Sequence, residues 1–240
     1  RSANRSLGFD AASNEAVQQL AVLLPNYQAV VWSLGEESTA DETFNAAEQA
    51  LATGYLSNGG SLLVCGAEVG WDLDAQGSAS DRAFYRNALG ATYVADDAGV
   101  YTLQAGIAGT VSAGIAASSF DNGTFGTYDV NFADVLAPTT AQSTVCLRYC
   151  NGLVAGVQKL DPVSGARVVH FGFPLDTITN ADVRAQLVQQ SLDFLLDAQP
   201  LRGPATAQLG ALTPFAVSMP AEAGRPFFVL GSLGFTPGTL

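Results

Sequence analysis

Residues Asn58 to Asp74 read NGGSLLVCGAEVGWDLD, and the fold turns on how this stretch is read. Asn58-Gly59-Gly60 is a turn signal. The unbroken apolar run it releases, Ser61 to Cys65, is bounded by glycines and reads as a strand buried on both faces. Gly66 ends the run. Beyond it the pattern predicts a loop rather than a helix, carrying Glu68, Trp71, Asp72 and Asp74 just past the carboxyl end of a central strand. In open α/β sheets that edge is where ligands bind.

Working outward, Tyr27 to Leu34 (YQAVVWSL) is β-branched and aromatic, a second buried strand that opens at Gly35-Glu36-Glu37-Ser38. Ser38 or Thr39 is placed to cap a helix running to about Leu56, with Phe44, Ala47, Leu51 and Tyr55 on one face. Two strands joined by such a helix are parallel with a right-handed crossover. Upstream, Phe9 to Leu24 has the spacing of an amphipathic helix through Val17, Leu20, Ala21 and Leu24, stopped by Pro25-Asn26. A strand should precede that helix and the chain simply starts, so we expect this first strand to be lost or to lie in a separate segment.

Downstream, Ser80 to Leu89 forms a short helix opened by Ser78 or Ser80 and closed by Gly90. A strand, Ala91 to Ala95, ends in the acidic turn Asp96-Asp97-Ala98-Gly99. Val100 to Pro138 is glycine-rich and includes FDNGTFGTYDVNF, which reads as loops and small strands. Ser143 to Tyr149, Leu153 to Lys159 and Arg167 to Phe171 are β runs, the first two joined by the hairpin turn Cys150-Asn151-Gly152. A helix from about Asn180 to Ala198 turns Val183, Leu187, Leu192 and Leu195 inward. The prediction is an α/β domain over 1–199, a flavodoxin-like, doubly wound, mostly parallel sheet with helices on both faces. Residues 200–204 read as a linker. Residues 205–240, with alternating runs at Ala207–Leu212, Phe215–Met219 and Phe227–Leu233, read as a partial β-sandwich-like module.

The chain of 240 residues is 48% hydrophobic and 13% charged, which argues for a folded core. Its net charge is −12 and Lys159 is the only lysine. No cationic stripe exists to release counterions, so nucleic acid is not expected as a partner. No apolar run approaches the ~18 residues a bilayer span requires. The opening RSANRS has neither an initiator methionine nor a signal-peptide core, and we expect a processed or excised fragment. The acidic, lysine-poor composition fits an exported protein, secreted or at the cell surface. Cys65, Cys146 and Cys150 are an odd set; four residues along one strand put the last two about 13 Å apart, beyond disulfide reach. We expect three free, mostly buried thiols.

The ordered motifs YQAVVWSLGEESTADETFNAAEQALATGYLSNGGSLLVCGAEVGWDLD, DRAFYRNALGATYVADDAG and ARVVHFGFPLDTI resemble a class I glutamine amidotransferase-like, flavodoxin-type domain of secreted bacterial multidomain proteins. The resemblance covers about residues 9 to 198. It implies attachment to neighbouring modules of one precursor, often peptidase, amidase or other hydrolase modules. It also places Cys65 at the strand end where the nucleophile of active members stands, with a histidine and a glutamate on a loop after a late strand. Here Leu63 replaces the elbow glycine two residues earlier, and Phe173 stands before Pro174 where active members carry histidine. A thiol without a base is a poor nucleophile, so no catalytic residue is assigned.

His170 lies inside the β run RVVHF and reads as a core histidine. No G-x-S-x-G elbow is present. What remains is acidic and aromatic. Glu36, Glu68, Trp71 and Asp72 are the ligand-binding candidates, fitting a polysaccharide or another polar cell-surface ligand. Asp96 and Asp97 are the metal candidates; no cofactor is expected beyond Ca²⁺, which hard oxygen ligands can hold. The expected function is a noncatalytic accessory or ligand-binding domain. The alternative is a hydrolase using the crevice carboxylates or Cys65.

Overall fold

The computed structural model describes residues 9–196 and the short segments 201–202 and 216–217. In chain order the elements are α1 (Asn14–Gln18), β1 (Val30–Gly35), α2 (Ala46–Ser57) and β2 (Ser61–Gly66), then a π-helical turn at Trp71–Gln76. Helix α3 (Ala79–Ala83) runs on into a second π-helical turn, Phe84–Leu89, and β3 (Ala91–Ala95), β4 (Thr102–Leu103), β5 (Ser118–Ser119) and β6 (Val135–Pro138) follow. The hairpin β7 (Ser143–Arg148) and β8 (Val154–Leu160), then β9 (Arg167–Phe171) and α4 (Ala181–Leu196), complete the unit.

Five strands form one sheet in the order β1-β2-β9-β8-β7. Strands β1, β2 and β9 pair in parallel, with Leu62 opposite Val30 on one side and Val168 on the other. Strand β8 pairs antiparallel with both β9 and β7. The reason lies in the connections: the turns at 149–153 and 161–166 are too short for the crossover that parallel neighbours need. The molecule is therefore a mixed α/β protein whose main sheet has a parallel half built by crossovers and an antiparallel half built by hairpins.

Alternation along β2 assigns the two cores. Leu63 and Cys65 join Val169, Phe171, Val183, Leu187 and Leu195 beneath α4. Leu62 and Val64 join Trp32, Leu34, Ala52, Leu56 and Val168 beneath α2. Every residue of β2 is buried, as its unbroken apolar run requires, and each fully buried leucine contributes about 1.5–3 kcal/mol. The turn before β2 needs its glycines: Gly59 has φ +84°, and a Cβ on Gly60 would lie 2.5 Å from the Tyr55 ring.

Several local expectations change. The helix expected over 9–24 shrinks to α1, because Leu20 adopts φ 57° and Pro25 sits in a 3-10 turn, Leu24–Asn26. Helix α2 starts later than Ser38, at a capping box in which the Asn45 side chain accepts from the Ala47 and Glu48 amides and the Glu48 carboxylate accepts from the Asn45 amide. The stretch after β2, expected as a loop, turns helical and leads into the Trp71–Gln76 π-turn. Helix α3 has the expected Ser78 cap, and Gly90 closes the second π-turn at φ 76°. Cys146 is buried as expected but Cys150 is exposed.

A second compact unit comprises Asp197–Leu240. In it Leu201–Arg202, inside the stretch read as linker, pairs antiparallel with Ala216–Val217. The three strand runs expected after residue 205 otherwise lie outside the described residues.

Candidate functional site

The carboxyl ends of β1, β2 and β9 meet at one edge of the sheet, and the chain's own groups pack over that edge as the floor of a candidate site. Asp134, just before β6, donates its amide to the carbonyls of Ala67 (3.0 Å) and Gly172 (2.8 Å). Gly172 admits this approach because it lacks a side chain: a Cβ there would lie 2.4 Å from the Asp134 carbonyl oxygen. The Tyr149 hydroxyl donates to that same oxygen at 2.8 Å. Beside it Phe173 stacks on Phe120, with ring centroids 5.2 Å apart and planes 17° apart, and also meets Phe171 and Tyr149.

Cys65 is buried in the same core cluster as these rings. It is 2% exposed, and its Sγ lies 3.7 Å from the Ser33 hydroxyl. Burial pushes the thiol up, against smaller opposing effects from the Leu175 backbone and Ser33. His170 is fully buried in the neighbouring strand, its Nε2 3.1 Å from the Tyr85 hydroxyl. Burial holds it down at about 4, with the Val64 backbone opposing only in part. The two groups lie in different cores, since Val64 is the β2 residue opposite His170 and Cys65 is opposite Phe171. Cys65 should therefore take up iodoacetamide at least about tenfold more slowly than exposed Cys150. Mass spectrometry of the two peptides checks this, and equal rates would show that the thiol is accessible.

The rim carries the charge. Glu36 follows β1, and partial burial, then Asp129 and Glu68, push its carboxyl up. The Tyr101 hydroxyl donates to Asp129 at 2.7 Å, and that bond, with burial and the surrounding acids, pushes Tyr101 up to about 12. The Tyr128 hydroxyl reaches Asp176 at 3.3 Å. Trp71 is half-buried against Tyr93, centroids 6.0 Å apart. Burial, then Asp96, Asp134 and Glu68, push Tyr93 up to about 12. These phenols stay protonated donors near neutral pH, alternating with carboxylate acceptors.

Of the residues singled out from sequence, Glu36, Glu68 and Trp71 lie on or beside this rim. Asp72 turns elsewhere: its Oδ2 accepts from the Thr43 amide (2.9 Å) and hydroxyl (2.7 Å), tying the π-turn to the approach to α2. Asp74 is likewise a tie, to Arg86 at 2.6 Å and to the Tyr93 amide at 2.9 Å. Asp97 accepts from the Gly99 amide at 2.7 Å, within its own turn. Asp96 has a buried Oδ1 with no hydrogen-bond partner among the described residues, and its carboxyl is pushed up by burial and then by Asp97. Among the described residues no group of three His, Cys, Asp or Glu is arranged to hold a metal ion, so Asp96 and Asp97 have no ready third ligand there.

Sequence reasoning missed Tyr101, Asp129, Asp134 and Asp176. The signal was partly present in FDNGTFGTYDVNF. Asp121 within it is buried and accepts from the amides of Thr124, Phe125 and Thr127 and from the Thr127 hydroxyl at 2.8–2.9 Å. Burial alone would raise this carboxyl, but the Thr127, Phe125 and Thr124 bonds outweigh it and hold it at about 2. The clamped loop presents Phe125, 65% exposed, and leads into Tyr128 and Asp129.

No family model matches the sequence, and no curated protein matches it. Among solved structures, the chain is similar to a polyextremophilic beta-galactosidase from the Antarctic haloarchaeon Halorubrum lacusprofundi, with 18% identity and TM-score 0.45, over 73% of this chain and 23% of that one. It is similar to the exo-beta-1,4-mannosidase Op5Man5 from Opitutaceae bacterium strain TAV5, with 9% identity and TM-score 0.42, over 71% and 24%. It is also similar to the mmIFT52 N-terminal domain, with 13% identity and TM-score 0.49, over 78% and 84%. The chain thus spans less than a quarter of each of the two glycosidases.

Proposed function

We propose that residues 9–196 form a noncatalytic, ligand-binding accessory domain of a larger secreted or cell-surface protein, a flavodoxin-like relative of the class I glutamine amidotransferases that has lost their chemistry. One observation carries the reading: Phe173, where the resembled family carries its base, is fully buried and stacked among Phe120, Phe171 and Tyr149, and Cys65 is itself a buried thiol. Nucleophilic acyl transfer needs a thiol that can ionise and a base within reach, and neither condition is met. The neighbouring modules of the precursor, a hydrolase among them, then supply any catalysis.

The ligand that fits the rim is a neutral polyhydroxylated one, such as a cell-wall polysaccharide. Tyrosine hydroxyls and carboxylates offer paired donors and acceptors to sugar hydroxyls, and Trp71 and Phe125 offer flat apolar faces. An anionic ligand is disfavoured by Glu36, Glu68, Asp129 and Asp176. Calorimetry with cell-wall oligosaccharides, and with Ca²⁺ as a separate arm, tests this. Glu68→Ala is expected to weaken oligosaccharide binding at least about tenfold, the worth of one hydrogen bond to a charged group. Asp72→Ala is expected to leave binding unchanged while lowering stability by about 1–2 kcal/mol, since it strips the Thr43 amide and hydroxyl of their acceptor. Absence of any heat with the wild-type protein would sink the ligand reading.

A further inference from the structure

Asp134 is the buried group that neither the packing nor the rim accounts for. It is fully buried, and its backbone is fastened to the floor through Ala67, Gly172 and Tyr149. Its carboxyl reaches the other way. Oδ2 accepts the Gly70 amide at 2.5 Å, at the start of the turn that carries Trp71 and Asp72, whereas Oδ1 is buried with no hydrogen-bond partner among the described residues.

The titratable groups that bear on this carboxyl come from every side. Glu68 lies on the segment after β2 and Asp96 at the end of β3, and both act on it directly. Tyr93 of β3, Tyr85 of the second π-turn and Tyr149 beyond β7 feel its charge. His170 of β9 stands behind Tyr85, and Asp74 and Asp97 act on Tyr85 and Tyr149 in turn. The two charges acting on Asp134 are both acidic. An ionised carboxyl here would be a buried charge beside two other acids; a neutral acid removes that charge, although its Oδ1 stays unpartnered in either form. Burial, then Asp96 and Glu68, accordingly push the carboxyl well above the ordinary range, against the opposing Gly70 and Trp71 amides.

We propose that Asp134 is a pH-operated latch: while its carboxyl is neutral it holds the turn bearing Trp71 against the crevice floor, and loss of that proton to solvent frees the turn. The latch rests on the floor and the turn alone and stands equally in a crevice that takes no ligand. Amide hydrogen exchange on the full chain, corrected for the intrinsic pH dependence of exchange and followed from weakly acidic into alkaline solution, reads it directly.

In the wild type, protection of the 68–76 turn is expected to fall about tenfold per pH unit once the acid ionises, the slope of a single proton. Asp134→Asn keeps a carbonyl for the Gly70 amide and cannot ionise, so its protection stays flat. Identical profiles in the two proteins, or a flat wild-type profile, would overturn the latch. Should the asparagine variant fail to fold, the carboxyl carbon shift of Asp134 in the wild type decides alone. A titration near the ordinary value of about 4, or a shift constant at the ionised value, overturns the proposal, and a shift that stays at the protonated value through that range supports it. Added Ca²⁺ that raises protection in the wild type and not in Asp134→Asn would make the carboxyl an ionised cation ligand and would also overturn the latch.

Discussion

Phe173→Ala is expected to cost about 3–5 kcal/mol of stability, the usual range for removing a buried aromatic ring. Phe173 has no exposed surface and touches Phe120, Phe171 and Tyr149 through ring centroids 5.2, 5.9 and 6.3 Å apart. Its backbone lies next to Gly172, where Asp134 is fastened, so the cavity cannot close by moving the floor inward. Urea unfolding reads the loss as a lower midpoint with an unchanged slope. Phe173→His, which introduces the residue of the resembled family, should also be destabilised and should show no amidase activity, because Cys65 remains a buried thiol. A loss below about 1 kcal/mol for the alanine variant would mean that the aromatic layer is loosely packed.

His170 should dominate the difference in acid stability between the wild type and a His170→Gln variant. Its folded-state value of about 4 lies below the ordinary 6.5 of histidine, so the folded chain favours neutral imidazole. The stability that this neutrality contributes is fully present above the unfolded value. It is lost as the pH falls toward about 4, where the unfolded chain has already taken up a proton that the folded chain resists. The shift amounts to about 3 kcal/mol. Glu36, Glu37, Asp96 and Asp134 carry raised values and act with the opposite sign, but they are common to both proteins and cancel in the comparison. Denaturant unfolding across this range should give a difference curve that is flat at neutral pH and falls on acidification. Parallel curves would place the imidazole in a wetter environment than the Tyr85 contact and the sealed core imply.

The strand Ser61–Gly66, its parallel neighbours, the helices α2 and α4 and the burial of Cys65 were all legible in the sequence, because each rests on a local pattern. An unbroken apolar run between glycines has one low-cost fate, burial on both faces. The site was legible only as an address, the carboxyl edge of β2, where Glu36, Glu68 and Trp71 do lie. Which acids face the crevice was decided by contacts made far along the chain. Asp72 turned away to Thr43, 29 positions distant, while Asp134 arrived at Gly70 from 64 positions away. Periodicity reports how often a side chain is buried and on which face, but a carboxylate near a strand end is equally well satisfied by a backbone amide, an arginine or a ligand. Only the closed tertiary structure, by bringing the 121–134 segment over β2 and β9, determined which of these each acid received.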